Sequence, residues 1–339
     1  MSSASSIESA VEHKRVKILA LFSGGLDSSL AVRIAQRLGF DVEAVHFTTP
    51  FCVCDKCGVE EMGRRLGVRV HHVFLGEEFL DLLMDPPHGY GSQMNICIDC
   101  RILMFRKAKE LAGRIGAEYL LTGEVLDERP FSQRASAMSL IEREAGLEGK
   151  VLRPLSGRLL WETELERRGL VRREDLYAIR GRRRAPQIQL AEELGLVDYP
   201  SPSGGCLLTD PQFSRRLRDY LSHEGRPTLD DAILLRFGRH FRVGPARVVV
   251  GRDEEENRIL EAMAERRRIT RMIVSGYMGP ITLLIGEAGE DVLYRAAAIT
   301  ARYSDAPRDA QVEVQILDGS ERRITVRAMG DEELARLRV

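Results

Sequence analysis

The chain is short of three things. Aromatic residues are 6% of its 339 residues, with a single tryptophan. An exposed platform for stacking nucleic-acid bases is therefore not indicated. Charge of one sign is also missing, since 50 Lys and Arg stand against 51 Asp and Glu. That balance excludes disorder driven by charge excess and excludes a uniformly basic coat, so any polyanion site has to be a local patch. No apolar run reaches the length of a membrane span. The six cysteines are too few to staple a chain of this size, and they are clustered. Residues 1–15 are Ser-rich without an apolar signal core and read as a disordered leader on a cytoplasmic protein.

What is present suits two domains. Val16–Phe22 is apolar without alternation, the pattern of a strand buried on both faces of a parallel sheet. A helix with Leu30, Ile34 and Leu38 on one face follows and ends at Gly39. Strands at Val42–Phe47, Val68–Phe74 and Tyr119–Thr122 alternate with helices at Val59–Leu66 and Ile102–Ile115. Residues 16–205 are thus expected to form an α/β domain with a doubly wound parallel sheet. Residues 160–200 read as helical and Arg-rich, and the Pro/Gly/Ser stretch 199–205 as a hinge. Residues 206–339 are expected to form an α+β domain. Its strands are expected at Ala246–Val250, Ile281–Ile285 and Val312–Leu317, and its helices at Glu254–Arg267 and Asp291–Tyr303.

Ser23-Gly24-Gly25-Leu26-Asp27-Ser28 lies after a strand and before a helix, where a phosphate loop must sit. Two glycines let backbone approach phosphate oxygens, two serines add hydroxyl donors, and the helix N-terminus adds partial positive charge. Asp27 suits a magnesium ligand that neutralises pyrophosphate. No lysine follows the glycines, so this is not a Walker A loop. A Gly-rich turn with a Ser/Asp cap is the plainer alternative.

The hexapeptide resembles the PP-loop of ATP pyrophosphatases. That resemblance implies cleavage of ATP between its α and β phosphates, with Ser23, Gly24, Gly25, Asp27 and Ser28 around pyrophosphate and magnesium. Leu121-Thr122-Gly123-Glu124-Val125-Leu126-Asp127-Glu128-Arg129-Pro130-Phe131-Ser132-Gln133, followed by Leu152-Arg153-Pro154-Leu155, narrows the choice. In order and spacing it is similar to the tRNA 4-thiouridine synthetase pattern, over roughly residues 16–200. The likeness implies an adenine-nucleotide alpha-hydrolase-like fold, nucleotide contacts at Gly123 and Glu124, and Gln133 near nucleotide or uridine. Arg153 is expected to touch phosphate or cap a loop. Asp127-Glu128 departs from the Gly-Gln usual in that family.

Cys97-Ile98-Asp99-Cys100 precedes the Ile102 helix, and a helix N-terminus favours the thiolate form that binds metal or attacks sulfur. With the distant Cys206, this pair resembles the three-ligand iron–sulfur site of cluster-dependent tRNA thiolases. The resemblance implies a 4Fe–4S cluster with one iron left open for sulfide. A persulfide on Cys97 or Cys100, or half of a structural zinc site, are the alternatives. Cys52, Cys54 and Cys57 form a second group, expected to be a zinc knuckle completed by His71, His72 or His88; inert thiols or a sulfur relay are its alternatives.

Between Arg167 and Arg184 there are eight arginines and two acids. Arg180, Arg182, Arg183 and Arg184 are the densest part and the expected RNA-phosphate contacts, unless the segment is a solvated face paired with nearby glutamates. Familiar 4-thiouridine synthetases carry an RNA-binding region ahead of the PP-loop, whereas about twenty residues precede Ser23 here. RNA binding is then expected of residues 206–339, where Arg215, Arg216, Arg218, Arg236, Arg239 and Arg266–Arg268 are scattered, or of a partner, or else the substrate is different. The reading is an ATP-dependent tRNA sulfurtransferase, expected to make 4-thiouridine and to take sulfur as sulfide or from a persulfide carrier, with a homodimer as its assembly. Two alternatives stand beside it: thiolation at the 2-position or of a small molecule, and a non-catalytic RNA-binding or assembly protein.

Overall fold

The computed structural model describes residues 16–53, 56–196, 198–199, 205–319 and 321–339. The expected leader, Cys54 and most of the expected hinge lie outside the described residues. The chain divides into two units, one of residues up to Leu75, 85–91 and 96–205, the other of 76–84, 92–95 and 206–339.

The first part of the chain runs β1 (Lys17–Leu21), α1 (Leu26–Arg37), β2 (Asp41–Thr48), α2 (Lys56–Leu66), β3 (Val70–Phe74), α3 (Glu77–Met84), α4 (Cys97–Ile115), β4 (Tyr119–Thr122), α5 (Ala135–Ala145), β5 (Val151–Leu152), α6 (Glu164–Arg167) and α7 (Ala185–Glu193). Of these, α3 belongs with the second unit. The sheet order is β3-β2-β1-β4-β5 and every pair is parallel, the doubly wound arrangement the pattern predicts, with β5 as an added two-residue edge. Central β1 is sealed because Ile18, Leu19 and Ala20 have essentially no exposed surface. Leu26, Leu30 and Ile34 carry α1 onto that sheet, together with Leu190 and Leu194 around α7. Gly39 follows the α1 C-cap with φ +89°, as a C′ glycine does. The decisive feature is where the order reverses. The chain leaves β1 toward β2 and leaves β4 toward β5, so a crevice opens beyond the carboxyl ends of β1 and β4.

Two expectations shift. Helix α4 starts at Cys97, so the CxxC forms its first turn instead of preceding it; buried Ile98, Ile102 and Phe105 keep the helical stripe running through the motif. Residues 160–200 are mostly not helical. The amides of Tyr177 and Ile179 donate to Pro154 and Leu155 carbonyls, and Arg180 bridges to Leu126, so that stretch satisfies its backbone against neighbouring segments.

The second part of the chain adds α8 (Pro211–Glu224), α9 (Leu229–Leu234), β6 (Arg239–Val243), β7 (Ala246–Val250), α10 (Glu254–Arg267), β8 (Thr270–Val274), β9 (Thr282–Ile285), α11 (Glu290–Arg302), β10 (Gln311–Leu317), β11 (Glu321–Arg327) and α12 (Asp331–Leu337). Its sheet is antiparallel, in the order β11-β10-β8-β9-β7-β6. Ala296, Ala297 and Ile299 of α11 share a core with Val248, Met272 and Val314, while Leu260 and Met263 of α10 pack with Val249 and Leu283. Alternation along β7 thus sends neighbouring valines to opposite covered faces. Among the described residues no helix is long and apolar enough to cross a membrane.

Candidate functional site

The loop from β1 into α1 forms one wall of the crevice. Gly24 takes φ +76°, and a Cβ there would sit 3.1 Å from Val59. Gly25 is the N-cap in extended backbone, and no side chain caps the helix, which leaves the first-turn N–H groups to water or a ligand. The serines brace the loop internally: Ser28 Oγ and Ser29 Oγ each donate to the Gly25 carbonyl at 3.0 Å, and the Ser23 and Ser28 hydroxyls lie 3.2 Å apart.

Asp27 is the charged residue of this wall. Burial pushes its carboxyl above the usual carboxylate range, against the opposing pull of Arg184 and Arg129. Glu128 is raised as well, by burial and then by the charge of Asp27. Asp27 Oδ1 is buried beside the fully buried Gln187 amide, which pulls the Asp27 pKa down, yet in strict hydrogen-bond geometry neither Asp27 Oδ1 nor either polar atom of Gln187 is satisfied. Orphaned polar atoms at a helix start and beside two crowded carboxylates are what a nucleotide phosphate with its cation would satisfy. The residues therefore fit magnesium, with Asp27 and Glu128 as the ligands on offer. Gln187, Glu128, Arg129 and Arg184 had no nucleotide role in the sequence reading, and only the fold brings them to Asp27.

The opposite wall is the segment after β4. A Cβ on Gly123 would fall 2.4 Å from the Asp27 carbonyl carbon, far inside contact distance, so only glycine lets β4 meet the start of α1. The next residue, Glu124, is buried and accepts from Arg153 Nε at 2.9 Å and from Thr122 Oγ1 at 3.2 Å. Its other oxygen lies 3.4 Å from Arg101 Nε. Burial alone would raise the Glu124 pKa, but Arg101 and Arg153 outweigh it and hold the carboxyl below its ordinary value. Arg153 also pairs with Glu142, which takes Gly149 N–H at 3.2 Å. Glu124 and Arg153 thus form a buried ionic support behind the crevice. Gln133 has a similar place: its side chain accepts from Arg129 N–H at 3.0 Å and its carbonyl from Asp127 N–H at 2.8 Å, closing the 127–133 loop.

Arg101 directly follows Cys100, so this network ties the CxxC turn of α4 to the wall that touches Asp27. Cys97 and Cys100 are half-buried thiols three residues apart on one helical face. Asp99 between them is buried and holds His88 Nδ1 at 2.7 Å, while His88 Nε2 meets Glu144 at 3.0 Å. Cys206 belongs to the second unit. Among the described residues no three His, Cys, Asp or Glu side chains are gathered to hold a metal ion. Cys97, Cys100 and Cys206 are each half-buried, and none of the three is in a disulfide.

The residues expected to form a zinc knuckle are only partly described. Cys52 is disulfide-bonded and so is not a zinc thiolate here, Cys57 is exposed, and Cys54 lies outside the described residues. The three histidines considered as fourth ligand are each engaged by carboxylates, His71 by Glu43 at 2.6 Å, His72 by Glu60 and His88 as above. The Arg-rich segment is also less open than its composition suggests. Arg168, Arg172, Arg173 and Arg180 pair with Glu118, Asp175, Glu166 and Asp127. Arg184 faces Asp27 and Arg167 donates to the Glu162 carbonyl, which leaves exposed Arg182 and Arg183 for an outside polyanion.

Two family models match the chain. Residues 14–159 match the thiamine biosynthesis protein (ThiI) family, and residues 238–338 match the NFACT protein RNA binding domain. A tRNA-specific 2-thiouridylase MnmA of Marinobacter nauticus is 24% identical over 226 residues, 60% of this chain and 54% of that protein. A probable tRNA sulfurtransferase of Caldanaerobacter subterraneus subsp. tengcongensis is 31% identical over 150 residues, 42% of this chain and 37% of that one. The chain thus spans about half or less of the curated relatives it matches. A solved structure described as a 4-thiouridine synthetase–RNA complex with bound ATP is 24% identical, covers 58% of this chain and 46% of its own, and superposes with a TM-score of 0.41.

The geometry generates two expected outcomes. Gly123→Ala should weaken ATP binding at least about tenfold by displacing the first turn of α1, measured by titration calorimetry; wild-type affinity in a folded variant would remove Gly123 from the site. The second concerns pH. The His88 pKa is raised, first by its hydrogen bond to Asp99, so the stability from this pair is fully present below the ordinary histidine value and lost as pH rises through the raised one. His88→Ala should therefore lower the unfolding midpoint more at about pH 6 than at about pH 9, and an equal loss at both would refute the linkage.

Proposed function

We propose that the chain is an ATP-dependent tRNA sulfurtransferase, a reading supported by the match of residues 14–159 to the ThiI family model. The observation that carries the reading is the orphaned Asp27 oxygen at an uncapped helix start, with the Gly123–Glu124 wall linking it to the thiol pair. ATP lies with its phosphates over the Ser23–Ser28 loop. A magnesium ion held by Asp27 and Glu128 would neutralise the pyrophosphate as it leaves. A uridine carbonyl oxygen attacks the α-phosphorus, pyrophosphate departs, and the base is left adenylated. Backbone N–H groups of the first α1 turn stabilise the charge that develops on the phosphates.

Sulfur then arrives from the α4 side. A persulfide on one of Cys97 and Cys100, loaded from a persulfide carrier, attacks the adenylated carbon and expels AMP. The second thiolate attacks the sulfur bridge, releasing thiolated base and leaving a disulfide that an external dithiol reduces. That route needs only the pair. A 4Fe–4S cluster is the rival sulfur source and needs a third thiolate, for which Cys206 is the expected donor.

The proposed product is 4-thiouridine. The likeness to 2-thiouridylases over 60% of the chain favours 2-thiouridine as the second reading. Incubation with tRNA, ATP and a sulfur source, followed by mass spectrometry of nucleosides, separates them. Release of pyrophosphate that depends on tRNA is expected, and Asp27→Asn should reduce it by on the order of 10²-fold. Pyrophosphate release without tRNA would point to a small-molecule acceptor, and no release would leave a binding protein. Anaerobic purification with iron and sulfide analysis is the companion measurement. About four irons per chain would establish the cluster, whereas an iron-free, fully active enzyme that Cys97→Ser and Cys100→Ser each silence establishes the persulfide route.

A further inference from the structure

The second unit contains a cleft of about 490 Å³ that the catalytic reading does not use. It lies at the start of α8 and the outer strand β6, and its lining includes Arg215, Arg216, Arg239, His240, Arg252 and Arg338, with no Asp or Glu side chain. Five arginines around one concavity contrast with a chain whose net charge is −1. Their partners are few. Arg252 is paired with Glu256 at 2.6 Å, and Arg239 lies over the Tyr303 ring at 4.7 Å and donates to the Gly251 carbonyl at 3.1 Å. Among the described residues, Arg215 and Arg338 have no ion pair, and both are exposed.

The interior of the cleft is polar and unsatisfied. Arg216 gives one guanidinium N–H to the Leu235 carbonyl, while its Nε is buried with no partner. His240 is 2% exposed; its Nε2 donates to the Phe237 carbonyl at 2.8 Å, and its Nδ1 faces no partner at all. An anion against Nδ1 would draw a proton onto it and turn it into a further donor. Burial, then the charge of Arg252, pushes the Arg216 guanidinium down to about 10 against the opposing pull of Asp210 and Glu256, with Arg338 acting in the same sense as Arg252. Burial, then Arg216 and Arg247, holds the His240 ring well below the ordinary value. Five guanidinium groups thus face the cleft, with Glu256 paired to Arg252 and the Val339 carboxylate at its edge.

We infer that this cleft is a phosphate-binding site that takes one phosphorylated nucleotide of a bound RNA strand. Phosphate is the anion that arginine forks grip in bidentate fashion. The volume exceeds what a bare phosphate needs and falls in the range of small-ligand pockets, so the nucleoside attached to the phosphate enters too. The stretch that matches the RNA binding domain supplies β6 and α12, but Arg215 and Arg216 come from α8 ahead of it, so the site joins an added helix to that domain. The inference rests on the reading of the substrate as RNA and names the residues that grip it.

The test uses the full chain and filter binding of tRNA over a range of salt. Arg215→Gln with Arg338→Gln replaces two exposed side chains, and an unchanged unfolding midpoint verifies the fold. The double variant should bind about tenfold more weakly near 0.1 M salt, and its slope of log affinity against log salt should be shallower by about 2. Unchanged affinity and slope would overturn the site. If the variant loses binding of free AMP but keeps that of tRNA, the cleft takes a loose nucleotide and the RNA assignment falls. Loss of tRNA binding in a chain that forms no thionucleoside would uphold this site while ending the sulfurtransferase reading, so the two fail separately.

Discussion

Everything at the nucleotide end of this molecule depends on one steric permission, the approach of Gly123 to the start of α1. Parallel pairing of β1 with β4 puts the two carboxyl ends side by side, with Leu21 opposite Thr122. The chain leaving β4 must then pass the helix leaving β1, and a side chain at Gly123 would occupy the space of the Asp27 carbonyl. With glycine there, the phosphate loop and the 123–133 segment become two walls of one crevice. The crevice is thus a consequence of the sheet order, and its chemistry is added by side chains that border the gap.

The buried Glu124–Arg153–Glu142 row behind that wall has a different logic. Replacing such ions by apolar groups of matching shape often leaves stability unchanged or higher, so the row is weak grounds for stability as such. Its value lies in direction. Glu124 reaches Arg153 through one oxygen and Arg101 through the other, and Arg101 sits on the helix whose first turn carries Cys97 and Cys100. Removing one member would leave a charge buried and unpaired, so the network resists any arrangement in which the thiol turn drifts from the phosphate loop. A sulfur transfer that must meet a short-lived adenylated base has use for that fixity.

How much of this was legible beforehand depended on where the signal lay. Continuous apolar runs such as Lys17–Leu21 and Tyr119–Thr122 announce buried parallel strands, and the glycine-serine loop between strand and helix announces a phosphate site. Strands β6, β8 and β11 escaped because arginines interrupt their apolar runs, as in RHFRV, TRMIV and ERRITVR. The stretch 160–200 was read as helix from its composition, yet its backbone is satisfied by residues 126, 154 and 155, contacts that no local pattern encodes. Gln187, Glu128 and Arg184 reach Asp27 only through tertiary packing. Ligand spacing likewise does not reveal that Cys52 is taken up in a disulfide or that nearby histidines pair with carboxylates.

Arginine is distributed in two ways in this chain, and the difference bears on where a polyanion goes. In the 167–184 segment the guanidinium groups are mostly turned to nearby carboxylates, so the composition overstates the field presented to solvent. Exposed pairs of that kind contribute little and are screened by salt. In the second unit the arginines converge on a concave surface with a buried histidine whose Nδ1 has no hydrogen-bond partner, where low dielectric and shape focus the potential. A chain of nearly zero net charge can therefore hold a strongly charged substrate only by concentrating positive charge where carboxylates are absent. Within the expected patch, among the described residues, only Arg180 is held in an ion pair, with Asp127, while Arg182 and Arg183 are exposed.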